Sequence, residues 1–288
     1  VKQLTAQAII DIGGPRANPA IAAGTIASLA WLDTYGISQP ARLAHFLAQC
    51  GEESDHFHTL REYASGAAYE GRRDLGNTFP GDGVLFAGRG LIEDTGRANY
   101  RAFTAWIRKQ IPDAPDFEAN PKLLETFPWA LYSAVWYWTS HNLNVLADED
   151  NIEAITHKVN GGLNGLGERL VMLGRASLVL LGYGTTDADM KHFQGNLGLT
   201  PDGVLGAKTR AALHAQLLAL PAMTPATLAV HAPPAAPVAA EGPAVVRPAP
   251  VEPVHMPVPV AVPQVIFKPL PPPAPQSWWG RLLAFFGL

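Results

Sequence analysis

The chain has 288 residues, 48% of them hydrophobic, and a formal net charge of −4. That is enough apolar mass for one sizeable core with smaller parts attached, and the charge excludes the basic footprint of a nucleic-acid binder. One cysteine, Cys50, excludes an internal disulfide framework and, set in an apolar run, reads as a small hydrophobe.

The opening "VKQLTAQAIIDIGG" has no basic patch followed by a continuous apolar run, so a secretory signal is not expected there. No stretch of about 18 uncharged apolar residues is available to span a membrane as a helix. The expectation is synthesis in the cytoplasm, with delivery to any outside target by another agent. Apolar spacing then predicts helices over 19–35, 41–60, 100–110, 129–140, 152–159 and 167–181. Asn18 before Pro19 is a helix start, with Pro at the first helical position. The stretch "GNTFPGDGVLFAGRG" reads as loop. The aromatics of "WALYSAVWYW" recur at helical spacing and read as core, with one exposed stacking ring as the alternative. No alternating run is long enough for a large sheet, so the fold class is mainly α.

Composition divides the chain into residues 1–184, a short segment 187–220, a Pro/Ala/Val-rich linker 221–276 and a tail 277–288. The linker region holds most of the prolines and little charge, so it is expected to be extended.

One helix carries an anomaly. "LAHFLAQCGEESDHFHTLRE" runs apolar and then presents Glu52, Glu53, Asp55 and Glu62. With Phe46 at zero, Glu53 falls at about −20°, beside the apolar face, and Glu52 and Asp55 at about 240° and 180°, toward solvent. A carboxyl held against apolar surface loses hydration, the condition for a general acid. The other reading is a partly buried Glu paired with an arginine such as Arg61. On one continuous helix Glu62 would lie on the opposite side and about 13 Å further along the axis. The two acids share a cleft only if the helix stops between them. Inverting glycoside hydrolysis asks for two carboxyls about 6.5–9.5 Å apart, with water beside the base.

"CGEESDHFHTLREYASG", "FAGRGLIEDTGRANY" and "ITHKVNGGLNGLGERL", in that order, resemble glycoside hydrolase family 19, its phage endolysin branch together with plant-type chitinases. The resemblance covers about residues 3–184 and implies a lysozyme-like α-helical domain with two lobes and a cleft. It implies Glu53 as general acid, Glu62 as general base, and Thr95 as the hydroxyl that helps hold the attacking water. Tyr63, Arg89, Glu93, Asn99, Tyr100, Asn160 and Arg169 are the implied substrate-binding positions. Three residues depart from the pattern: Glu52 stands where His is usual, Asp55 where Gly is usual, and Glu93 where Gln is usual. The implied chemistry is inverting cleavage of β-1,4 bonds, with no cofactor and no metal.

"MKHFQGNLGLTPDGVLGAKTRAAL" resembles the later half of a small three-helix peptidoglycan-binding module. Phe193, Leu199, Val204, Leu205 and Leu213 are its expected core, and Phe193, Gln194, Asp202 and Gly203 its candidate wall-binding positions. So short a piece is marginal alone and is expected to dock on the main body or borrow the preceding helix, a vestigial cap being the other reading. In the tail, Trp278, Trp279, Leu282, Leu283 and Phe286 share a helical face, with Phe285 extending it. Such a segment suits interfacial insertion in a membrane or lipopolysaccharide layer; a tail folded back onto the body is the other reading.

These readings combine into an endolysin: a monomer that binds peptidoglycan glycan strands after holin-type release. A chitinase of the same family and a non-catalytic wall- or membrane-binding protein are the alternatives. His45, His56 and His58 lack an H-E-x-x-H arrangement, which sets a metallopeptidase aside.

Overall fold

The computed structural model describes residues 4–224. The linker beyond residue 224 and the six apolar tail residues Trp278 to Phe286 lie outside the described residues. The fold is mainly α, with no strand among the described residues; extended pairing is confined to two isolated bridges, Arg61 with Arg89 and Arg89 with Asp94. No described helix is long and apolar enough to cross a membrane.

Two helices form the spine. Helix α1 (Ala6–Gly13) and helix α2 (Pro19–Ser28) lead into helix α3 (Pro40–Glu53). Asn18 caps α2 through the Ala20 N–H, with Pro19 in the first turn as expected. Leu43, Phe46, Leu47 and Cys50 of α3 are fully enclosed. Each large side chain so buried contributes about 1.5–3 kcal/mol.

The middle of the chain is irregular. It holds helix α4 (Asp82–Leu85) and helix α5 (Arg97–Gln110) among turns. Ion pairs brace it: Arg97 contacts Asp82 at 2.5 Å and Glu118 at 3.0 Å. Helix α6 (Trp129–Ser140) is the aromatic wall; Tyr132, Trp136 and Trp138 are buried, and Tyr132 stacks on Trp31 at 4.0 Å. Helices α7 (Leu143–Asp148) and α8 (Ile152–Asn160) return the chain to helix α9 (Leu166–Leu180), which packs along α3.

Helix α10 (Asp187–Asn196) and helix α11 (Ala207–Leu218) complete the described chain. A reciprocal capping box between Thr186 and Asp189 starts α10. Phe193, Met190 and Leu213 bury against Leu178 of α9, so the pair borrows the preceding helix as expected. Helix α11 also packs on α3 and α9, and Leu217 joins the main core. Met223 donates its N–H to the Ser38 carbonyl at 2.9 Å, anchoring the chain beside the start of α3. Val204, expected in the core, is 60% exposed, because the Pro-Asp-Gly turn carries it outward.

Candidate active site

Helix α3 stops at Glu53, seven residues short of the predicted end at residue 60. Asp55, His56 and Phe57 adopt left-handed backbone, with φ of 52°, 65° and 58°. A non-glycine residue there costs about 1–2 kcal/mol. Local bonds compensate. The Ser54 hydroxyl donates to the Cys50 carbonyl at 2.6 Å and accepts from the Phe57 N–H at 3.1 Å. His56 Nδ1 meets the Gly13 carbonyl at 3.0 Å, and His58 Nδ1 the Arg16 carbonyl at 2.9 Å. The Phe57 ring is buried as expected, by this turn and not by helix continuation. The reversal separates Glu53 and Glu62 into different elements, which the cleft hypothesis requires.

Glu53 is paired with Arg169 of α9 and keeps partial exposure. The arginine partner is therefore Arg169, not Arg61. Arg169 is itself buried and also donates to Gln49 Oε1 at 2.5 Å. It holds a carboxylate of α3 from beneath, so the direct substrate contact expected of it is corrected: its guanidinium is spent inside the protein.

Glu62 is buried, at 4% exposure. The Gly88 N–H donates to its Oε1 at 2.6 Å and the Tyr69 hydroxyl to its Oε2 at 3.0 Å. Its backbone N–H donates to the Gly88 carbonyl at 3.1 Å, and the Gly90 N–H to the Leu60 carbonyl at 3.0 Å. Thr95 adjoins the same spot: a side chain built at Gly88 would stand 3.1 Å from its Oγ1. The Thr95 hydroxyl donates to the Glu93 carbonyl at 2.8 Å, leaving its lone pairs to accept from water. Glu93 is half-buried at the left-handed corner of this turn, φ 54°. Cys50 and Tyr137 each lie near both the Glu53 and the Asp94 carboxyls, which ties the end of α3 to the segment bearing Thr95.

The remaining predicted positions divide. Asn99 is half-buried and donates to the Thr95 carbonyl at 2.9 Å. Asn160 ends α8, half-buried, before the left-handed Gly161. Tyr63 is 53% exposed, its hydroxyl donating to Asp55 at 2.6 Å. Arg89 and Tyr100 are corrected: both are buried, and they satisfy each other and the interior. Arg89 contacts Glu125 at 2.7 Å, the Leu85 and Ala87 carbonyls at 2.9 and 3.1 Å, and the Tyr100 hydroxyl at 3.0 Å. The carboxylate that Arg89 reaches belongs to the protein. Phe193 and Gln194 are likewise corrected as wall contacts. Phe193 is core, and Gln194 ties the turn together through Asp202, Gly203, Val204 and Thr209, which occupies Asp202 and the Gly203 N–H as well.

Glu52 and Asp55 do not face solvent as the wheel of an isolated helix placed them. Asp55 is clasped by Arg16 and Tyr63. Glu52 lies against Gly165 at the start of α9, and burial pushes its pKa from the ordinary 4.5 to about 7, with Arg169 pulling the other way. A helical wheel contains no neighbour, and α9 is the neighbour that matters here.

No family model matches the sequence. A protein of Haemophilus influenzae described as a glycosyl hydrolase family 19 domain-containing protein is 32% identical over 171 residues, 49% of this chain and 80% of that protein. The chain belongs to glycosyl hydrolase family 19. It is a glycoside hydrolase. Solved structures similar to it include chitinase C from Streptomyces griseus, 20% identical with a TM-score of 0.47, covering 61% of this chain and 76% of that one. A bacterial family 19 chitinase is 17% identical with a TM-score of 0.46, over 62% and 94%. In this family 19 chain the acids named from the motifs sit at the end of α3 and in the turn that follows it.

Proposed function

We propose that this family 19 hydrolase cleaves β-1,4 bonds of peptidoglycan glycan strands with inversion, as the lytic enzyme of a phage or prophage. Glu53 protonates the leaving oxygen. Glu62 takes a proton from a water on the opposite sugar face, and that water donates its other hydrogen to Thr95. The observation that carries this reading is the pair of fixed carboxylates, Glu53 oriented by Arg169 and Glu62 by the Gly88 N–H and the Tyr69 hydroxyl. Orientation by the scaffold is what a positioned acid and base require. Glu93 and Asn99 bond to Thr95, and with Asn160 they are the substrate contacts of the proposal, with exposed Tyr63 as a surface on which a sugar ring can stack. The wall as target rests on the resemblance of the α10–α11 segment to a binding module, a docked helix pair in this chain. The tail is proposed as the membrane-directed element.

The test is digestion of purified peptidoglycan, with chitin oligomers in parallel, and mass spectrometry of the fragments. Glu53→Gln and Glu62→Gln are expected to lower turnover at least about a hundredfold in proteins that fold as the parent does. Full activity of a folded Glu53→Gln protein removes the assignment. Fresh product of retained anomeric configuration removes the single-displacement mechanism. Cleavage of chitin alone moves the enzyme to the chitinase reading.

A further inference from the structure

A cavity lies away from these carboxylates, where α11 docks on α3. It is partly open, ≈ 230 Å³ with the adjoining solvent space included, and His45, Asp150, Arg210 and His214 line its polar side. His45 comes from α3, His214 from α11, and Asp150 from the turn after α7, where its backbone is left-handed at φ 54°. Three chain segments thus bring two imidazoles and a carboxylate together, with one donor atom of each lying within 4.8 Å of the others.

We propose that His45, Asp150 and His214 form a binding site for a divalent transition metal of the zinc type, which pins α11 to the catalytic body. The donor set, two nitrogens and one oxygen, suits zinc and not calcium or magnesium. Around a metal at about 2.0–2.2 Å, tetrahedral donors stand about 3.3–3.6 Å apart. His45 Nε2 and Asp150 Oδ1 are already 3.2 Å apart. The remaining donor separations, within 4.8 Å, need to close by at most about 1 Å to reach that range. His214 Nε2 meets the Asp148 carbonyl at 2.9 Å, the outer contact that orients a ligand imidazole and leaves Nδ1 to ligate.

His45 is 1% exposed, and its Nδ1 has no hydrogen-bond partner, so the buried imidazole is only half satisfied by the protein. Among the described residues, Arg210 is the cation facing the cluster, 3.0 Å from Asp150 Oδ2. Its charge is met by Glu153 at 3.0 Å, so the carboxylates outnumber it, and Asp150 Oδ1 stays free of it.

The test uses the full chain, stripped of metal by chelator. Zinc chloride titrated by calorimetry is expected to bind one equivalent. At about a hundredfold excess over Kd the melting temperature should rise by roughly 5 °C or more. Cobalt should give the visible absorption of a four- or five-coordinate site. His214→Ala and Asp150→Asn should each weaken zinc binding at least about a hundredfold and remove the thermal shift; Asp150→Asn keeps the shape if His214→Ala disturbs docking. The chain has 9 histidines, so stoichiometry decides against scattered surface binding. No thermal shift in the parent, or the same affinity and stoichiometry in both variants, overturns the proposal. Hydrolysis does not enter the test, so its outcome is independent of the proposed function.

Discussion

Replacing Asp94 by Asn should change how stability responds to pH. Asp94 is enclosed behind the Thr95 turn at 3% exposure, and neither carboxyl oxygen has a hydrogen-bond partner. Burial pushes its pKa from the ordinary 3.8 to about 8. The nearby Ser133 hydroxyl opposes the shift but is turned to the Ala130 carbonyl, at 3.4 Å. Between those two values the folded protein holds a proton that the unfolded chain releases. The folded state therefore binds more protons, and stability falls as pH rises through the window. The slope is about 1.4 kcal/mol per pH unit, so from about pH 4.5 to 7.5 the loss is at most about 4 kcal/mol, and about 2 once water and side chains relax. Asn has the same shape and cannot ionise. Urea unfolding at both pH values should find parent and variant closer at the acid end, with the variant gaining about 2–4 kcal/mol on the parent by the alkaline end. Other titrating groups are common to both proteins and cancel. Parallel stability curves would refute the account of Asp94 as an unpaired buried acid.

Glu52 works in the same direction. Its pKa of about 7 places a second fall in stability between about pH 4.5 and 7, and Glu52→Gln should flatten that portion of the curve in thermal melts. Arg169→Ala strands Glu53 and Gln49, so it should cost about 3–5 kcal/mol by urea unfolding. Arg169→Lys, which keeps the charge and loses the fork, should fold better and still turn over its glycan substrate more slowly. Gly165→Ala meets both the left-handed φ of 73° and the Glu52 side chain, and should lower stability by about 1–3 kcal/mol in the same assay. Gln194→Ala should raise hydrogen-exchange rates in α10 and the 202–204 turn, with hydrolysis of soluble glycan fragments unchanged.

The legible parts of the fold were those decided locally. Helix α6 runs over the predicted 129–140, because its apolar repeat follows Pro128 and ends where polar residues begin. Asn18 and Pro19 marked the start of α2 for the same kind of reason. The end of α3 was not legible. Asp55, His56 and Phe57 carry no glycine to announce a left-handed turn, and contacts with Gly13, Arg16 and Asn18 far back in the chain hold them there. The pairing of 60–62 with 88–90 sets Glu62 against Gly88, which Thr95 adjoins from the other side of its turn. The roles of Arg89 and Arg169 were hidden because their partners, Glu125, Gln49 and Glu53, lie across the fold from them. A sequence motif names a residue type at a position; it does not say whether the side chain points outward or in.

The anchoring of Met223 at Ser38 has a practical corollary. Fourteen helical residues make α3 about 20 Å long, with Glu53 at its far end and the Ser38 tether just before its near end. Anything joined downstream, whether a dye, an affinity handle or a surface, therefore starts its path at the opposite pole of that rod. Immobilisation through position 223 itself should leave the approach of long polymers to Glu53 unobstructed.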